Sequence, residues 1–480
     1  MSLLTKSKFM NGLQCPRLLW LSDRKQLPEI DLFSLHRMSQ GKPLEKQVYK
    51  LFSDAADLSD LEFKENLIKT KEAIEQRKII FEAGIKINNL FVRSDILVPV
   101  KGGWDLYEIK ASNSLKKEYI PDLAFQKFVC EKAGLKIKNC YVYHFNKEYI
   151  KHGTINSKKL VILEDVTEFV NKVKDVEKNA NKFLNIIKQK TVPDICISQN
   201  CNQPRECPNK SLCWGTLPKH NVLELTDWRL YWKLFDEGII KIKDVPEDRI
   251  RNEMDGAIKK ATDSNTIFVS KEHIKHFIRS LNYPLYYFDF ESFDVGVPIF
   301  DKTRPWQKTP FQYSLHIEQK NGSLQHFEYL AEEGADPRIK LLEDLKTQIG
   351  TSGDVIVFNM SFEKQVLELL AKDFPEHANW LQNVIDRIVD LAVPFRNYYY
   401  YNPEQLGKYS IKKVLPAITG RSYDEIELHD GGDASIKYYK THIDHTMDNK
   451  EEIRRNLLEY CGLDTEGMIW IVHKLKKLIK

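Results

Sequence analysis

Asp289 and Glu291 alternate along an otherwise apolar run, Tyr286-Tyr287-Phe288-Asp289-Phe290-Glu291. Residues two apart on a β-strand point to the same face of the sheet, so a strand here presents both carboxylates together. Burying unpaired charge costs several kcal/mol, and a shared metal ion is the usual compensation. This run therefore constrains the second half of the chain to an α/β arrangement built round a charged centre.

The 480 residues suffice for two domains, with a small third element between them. Hydrophobic residues at 42% and charged residues at 29% are the proportions of an ordinary globular protein with material for two cores. The net charge of +4 is a small difference between 72 basic and 68 acidic residues, so it neither demands nor excludes nucleic acid. The N-terminus lacks the basic-then-apolar order of a signal peptide. No apolar run reaches the ~18 residues of a membrane span. A cytoplasmic location with no membrane partner is expected, and disulfides rarely persist there.

Residues 1–75 read as helical. Between Lys78 and Lys110 the pattern changes to short strands separated by Asn88-Asn89 and Gly102-Gly103 turns. A helix near 119–133, a strand at 139–145 and a long helix near 164–189 follow. Residues 216–280 read as a helical connector. From Tyr283 onward, strands at 284–291, 311–318, 324–330 and 354–358 alternate with helices near 337–349 and 362–374. A last helix covers roughly 450–478. That order predicts a mixed sheet with helices on its faces.

Glu108 and Lys110 are two apart on one expected strand, and Asp95 lies on the strand before it. A turn near Gly102-Gly103 folds Asp95 back beside Glu108. Two adjacent carboxylates repel unless they share a cation, and Mg2+ or Mn2+ fills that role. Such an ion activates water near a phosphate, while Lys110 is suited to stabilising charge on the phosphate. Gln126, on the next helix, is placed to contact the substrate or hold the lysine. In the second half Phe358–Glu363 follows a strand and opens a helix. Tyr460 and Asp464, four apart, share a helix face.

Of eight cysteines, Cys130, Cys140 and Cys461 lie in apolar stretches and read as small core residues. Cys201, Cys207 and Cys213 occupy an irregular stretch broken by Pro204, Pro208 and Gly215, which points to metal or cluster ligands. Cys196 and Cys15 are the available fourth ligands.

The Asp95…Glu108-x-Lys110 pattern resembles the RecB-like branch of the PD-(D/E)xK nucleases. That resemblance implies a helical acidic residue, matched by Glu45, and a downstream glutamine, matched by Gln126; Cys130 stands where relatives often have tyrosine. It also implies a 4Fe–4S cluster held by one early and three late cysteines, matched by Cys15, Cys201, Cys207 and Cys213. Structural Zn2+ is the alternative, since four thiolates suit it as well. The second half resembles the DEDDy exonucleases of the DnaQ-like, ribonuclease H-like superfamily. Asp289 and Glu291 match the first motif, Glu363 the second, and Tyr460-x3-Asp464 the third. Relatives usually carry aspartate at the position of Glu363.

The resemblances divide the chain into a restriction-endonuclease-like domain over 1–215, a connector over 216–280 and a ribonuclease H-like domain over 281–480. They imply a two-metal nuclease that acts on DNA in preference to RNA, in repair or defence, with 3′–5′ exonuclease action in the second half. Two other expectations stand beside this one: an inactive N-terminal platform that binds nucleic acid and feeds the exonuclease, and a ribonuclease. Tyr398–Tyr401 reads either as a stacking surface for bases or as a half-buried loop.

Overall fold

A computed structural model describes residues 2–195, 197–424, 426–428 and 430–480. The chain is a mixed α/β protein that divides into two compact units, residues 1–216 with 295–307, and residues 217–294 with 308–480. The segment expected as a connector therefore clusters with the second unit. Residues 295–307, which leave the second unit's sheet and return to it in sequence, cluster with the first.

The first unit is built on a six-stranded mixed sheet: β1 (Ala55–Asp57), β2 (Ile79–Ile87), β3 (Leu90–Val100), β4 (Gly103–Lys110), β5 (Ile137–Phe145) and β6 (Val161–Asp165), in that spatial order. Two-residue turns join β2 to β3 and β3 to β4, with Ile87 opposite Leu90 and Val100 opposite Gly103. Asn88 at φ 51° and Gly102 at φ 74° supply the left-handed backbone that such tight hairpins need. β4 and β5 run parallel, and the Tyr119–Lys132 helix provides the crossover. Phe9, Leu106, Phe125, Val142 and Phe183 lie in the core between this sheet and the helices.

The sequence reads a single helix near 164–189, and here the structure differs. Val161–Asp165 forms β6, antiparallel to β5, and the longer helix covers only Val176–Lys188. The β-branched pair Val161 and Ile162 finds partners in Phe145 and His144 on the open edge of β5.

In the second unit β7 (Phe268–Val269) is short. β8 (Leu285–Phe293), β9 (Thr309–Glu318), β10 (Leu324–Leu330), β11 (Asp354–Val357) and β12 (Ile388–Asp390) form a mixed sheet in the order β10-β9-β8-β11-β12. β8, β9 and β10 pair antiparallel, while β11 pairs parallel with β8 and β12. β13 (Tyr400–Tyr401) pairs antiparallel with β7. Tyr398, Tyr400 and Tyr401 are buried, so those rings pack inside the unit and are not a surface for stacking bases. Among the described residues, no helix is long and apolar enough to cross a membrane.

Candidate functional sites

The central strand of the second unit carries its acidic centre. Asp289 and Glu291 leave β8 on one face, and Asp464 approaches from the 29-residue Lys450–Leu478 helix packed across β8 and β9. One carboxylate oxygen from each lies within 4.8 Å of the others. A bulge between Glu291 and Ser292 breaks the pairing with β9, opposite Pro310, which has no N–H to give the ladder. Bulges re-aim side chains in this way beside functional centres.

Glu363 stands in the first turn of the Ser361–Asp373 helix and is buried, with its Oε2 lacking a hydrogen-bond partner. Burial and the surrounding carboxylates push Asp289 and Glu291 well above the usual carboxyl range. Burial raises Glu363 to about 8. It raises Asp464 only to about 6, because the Tyr423 hydroxyl, Lys412 and the Tyr460 hydroxyl favour its charged form. The cluster thus keeps protons, because its surroundings do not neutralise its full negative charge. Three oxygens at this separation are a suitable donor set for a hard divalent cation.

Tyr460 is buried one turn before Asp464, and burial beside these carboxylates keeps its phenol protonated. Tyr423 donates to Asp464 Oδ1, and Cys461 Sγ lies 3.7 Å from Asp289 Oδ2. Lys412 lies 5.1 Å from the centre of the Tyr460 ring and 3.9 Å from Asp430. Sequence reasoning missed Tyr423 and Lys412; neither belongs to a spaced motif. Asp390 accepts the main-chain N–H groups of Asn359 and Ala392 and pairs with Arg396 at 2.8 Å. It fixes the turn after β11 and β12.

In the first unit the hairpin register, with Ile96 opposite Tyr107, brings Asp95 beside Glu108. Asp95 Oδ2 accepts the Ile109 N–H at 2.7 Å. Glu108 is 1% exposed and already well partnered: Lys6 Nζ and Lys110 Nζ each lie 2.7 Å from Oε1, and Gln126 Nε2 donates to Oε2 at 2.6 Å. Lys110 also reaches Asp122 at 2.9 Å, and Lys6 lies 3.7 Å from Asp95. Burial resists charge on both carboxylates. The ammoniums of Lys110 and Lys6 overcome that resistance at Glu108 and lower it, whereas burial and the neighbouring Glu108 charge raise Asp95 to about 8. Glu45 is half-buried on the Gly41–Tyr49 helix, and burial raises it. Lys6 and Asp122 were not foreseen. Asp122 sits one helical turn before Gln126, a signal the sequence did offer; Lys6 is 102 residues from its partner and gives none.

Cys15, Cys201, Cys207 and Cys213 line one cavity of about 80 Å³. No three of these sulphurs lie within 4.8 Å of one another among the described residues. Gln14, the neighbour of Cys15, fastens the late loop by donating to the carbonyls of Asn200 and Arg205. Asn209 Nδ2 and Arg17 Nη1 approach Cys213 Sγ at 3.2 and 3.8 Å. Cys196 lies outside the described residues.

Residues 286–410 match a family model described as a domain of unknown function, DUF2779. The matched stretch includes Asp289, Glu291 and Glu363 and stops before Tyr460. An uncharacterized protein of Ureaplasma parvum is 29% identical over 217 residues, 40% of this chain and 31% of its own length. A similar protein of Mycoplasma pneumoniae is 28% identical over 214 residues, 40% of this chain and 32% of its own. The matches span about a third of the length of these curated relatives.

Proposed function

We propose that the chain is a metal-dependent phosphodiesterase acting on nucleic acid, with a 3′–5′ exonuclease centre of ribonuclease H-like type in the second unit. The observation that carries this reading is the convergence of Asp289, Glu291 and Asp464 from two separate elements to within 4.8 Å, with the buried Glu363 close enough to Asp289 to raise it. When bound there, Mg2+ or Mn2+ supplies Lewis acidity for phosphodiester hydrolysis. Asp289, Glu291 and Asp464 would hold that ion. Tyr460, held protonated, donates a hydrogen bond and so orients a water near Asp464 instead of acting as a base. Glu363, one methylene longer than the aspartate usual in DEDDy exonucleases, is read as the ligand from the helix. DNA is the favoured substrate, through the RecB-like pattern of the first unit.

The first unit is read as a PD-(D/E)xK-type centre on the parallel β4–β5 pair, with Asp95 and Glu108 as ion ligands, Glu45 beside them, and Lys110 and Gln126 as polar partners. The cysteine cavity is read as a cluster site. A single zinc, with Zn–S near 2.3 Å, draws its sulphurs to about 3.8 Å apart. We read the group as a polynuclear iron–sulfur cluster, with a single zinc as the alternative. Residues 15 and 201 are far apart in sequence, so such a group closes a long loop and clamps the unit.

A second reading, in which the first unit only binds the strand, is favoured by the two ammoniums that already satisfy Glu108. Digestion of single-stranded DNA labelled separately at each end, with Mn2+, decides between them. If both centres work, Asp289→Ala and Lys110→Ala remove different product ladders. If Asp289→Ala removes all cleavage and Lys110→Ala none, the first unit is a platform.

A further inference from the structure

Beside the first centre lies a cavity of about 230 Å³ whose wall includes Lys6, Lys110, Tyr119, Asp122 and Arg205. Three cations border one small volume, and each comes from a different part of the chain. Lys6 lies on the first helix, Lys110 ends β4, and Arg205 is carried by the cysteine loop, whose main chain Gln14 holds at 2.7 Å from Nε2 to the Arg205 carbonyl. Arg205 spends one N–H on Asn11 Oδ1 at 3.1 Å. A guanidinium has five N–H donors, so others remain for a ligand.

Lys6 and Lys110 share a single oxygen of Glu108, and Lys6 also faces Asp95. These are the two carboxylates that the proposed reading assigns to a divalent ion, and this inference rests on that reading. An ion and two ammoniums cannot crowd the same buried oxygens, because the cations repel one another strongly where water is scarce. We infer that Lys6 and Lys110 are exchangeable counter-ions: they hold Glu108 and Asp95 until a divalent cation takes those carboxylates, and then turn their ammoniums, with Arg205, on a phosphate group of the strand in the adjoining cavity. Metal and phosphodiester then bind with positive linkage. The cysteine loop joins that linkage because it carries Arg205.

The test uses the full chain bearing Asp289→Asn and Glu291→Gln, so that only the first centre answers, with free Mn2+ read by electron paramagnetic resonance. Lys6→Met is expected to tighten Mn2+ about tenfold, since the ion no longer displaces a charge-assisted hydrogen bond; Lys6→Gln serves if the methionine variant does not fold. A 5′-phosphorylated thymidine dinucleotide is expected to tighten Mn2+ several-fold in the parent. That gain shrinks in Lys6→Met and in Arg205→Met, as reciprocal linkage requires. A purely structural Lys6 gives unchanged or weaker Mn2+ binding on substitution, which overturns the exchange. Adding Asp95→Asn separates the two levels of failure. If it abolishes Mn2+ binding while Lys6→Met does not tighten it, only the exchange is wrong. If Mn2+ binds as before without Asp95, the first centre is not a metal site and both fall.

Discussion

Substituting Asp289 by asparagine stabilises the metal-free protein at alkaline pH and removes its response to metal. Carboxylate oxygens of Asp289, Glu291 and Asp464 lie within 4.8 Å of one another. Two full charges at that distance repel by about 3 kcal/mol at an effective dielectric constant of about 20. The centre relieves part of this by holding protons, which is why its carboxyls are raised. An acid raised in the folded state contributes stability that is complete below its unfolded pKa and lost as pH climbs through its folded value. Without metal, the protein therefore loses stability between about pH 4 and pH 8, the span from the ordinary carboxyl range to the raised value of Glu363. Asp289→Asn recovers roughly 2 kcal/mol of that loss at pH 8, or about 5 °C in midpoint for a unit of this size. Mn2+ at a hundredfold excess over its Kd stabilises the unsubstituted centre by about 2.7 kcal/mol and the variant by little. The assay is thermal unfolding followed by circular dichroism in EDTA and in Mn2+. Asp95→Asn serves as the parent chain, which keeps the first centre silent. If the asparagine variant is less stable in EDTA at pH 8 and still gains the full increment from Mn2+, the three carboxylates are not a shared cation site.

Iron-loaded protein is expected to show a broad visible absorbance that bleaches on reduction. Cys207→Ser should remove that band and lower the unfolding free energy by about 4 kcal/mol, the order of opening so long a loop. Gly84→Ala places a Cβ 2.0 Å from Asn66 Oδ1, a buried side chain that holds the carbonyls of Leu58 and Glu82. Denaturant titration should register a loss of about 2 kcal/mol. Burial depresses His316 and His442 to about 4. A histidine lowered in the fold contributes stability that is intact above about pH 6.5 and drains away as pH falls toward 4, with a slope of up to about 1.4 kcal/mol per pH unit each. His442→Gln should flatten that acid limb in unfolding curves collected from pH 7 to pH 4.

Short-range periodicity made much of the scaffold legible. Period two placed Asp289 with Glu291, and the Gly102 turn returned Asp95 to Glu108, because strand faces and tight hairpins are local properties. The Tyr460–Asp464 spacing put both on one helix face for the same reason. What failed was set by distant partners. Val161–Asp165 becomes a strand only because β5 offers an open edge, and nothing within the segment announces that edge. Residues 295–307 read as part of the second sheet's surroundings yet cluster with the first unit. Trp306 donates from its indole to the Ala111 carbonyl, a contact 195 residues long that leaves no mark on local pattern. Lys6, Lys412 and Tyr423 escaped notice likewise, since a lone lysine or tyrosine has no spacing to read. Their importance arises only from the carboxylates they meet in space.

The most direct test of the acidic centre is the release of nucleoside 5′-monophosphate from the 3′ end of a single-stranded oligonucleotide, in DNA and RNA versions, with Mn2+. Steady release by the unsubstituted chain, abolished by Asp464→Asn and by chelation, is the expected result. If neither strand is shortened, or if Asp464→Asn leaves the release unchanged, the acidic cluster of the second unit is not a phosphodiesterase centre.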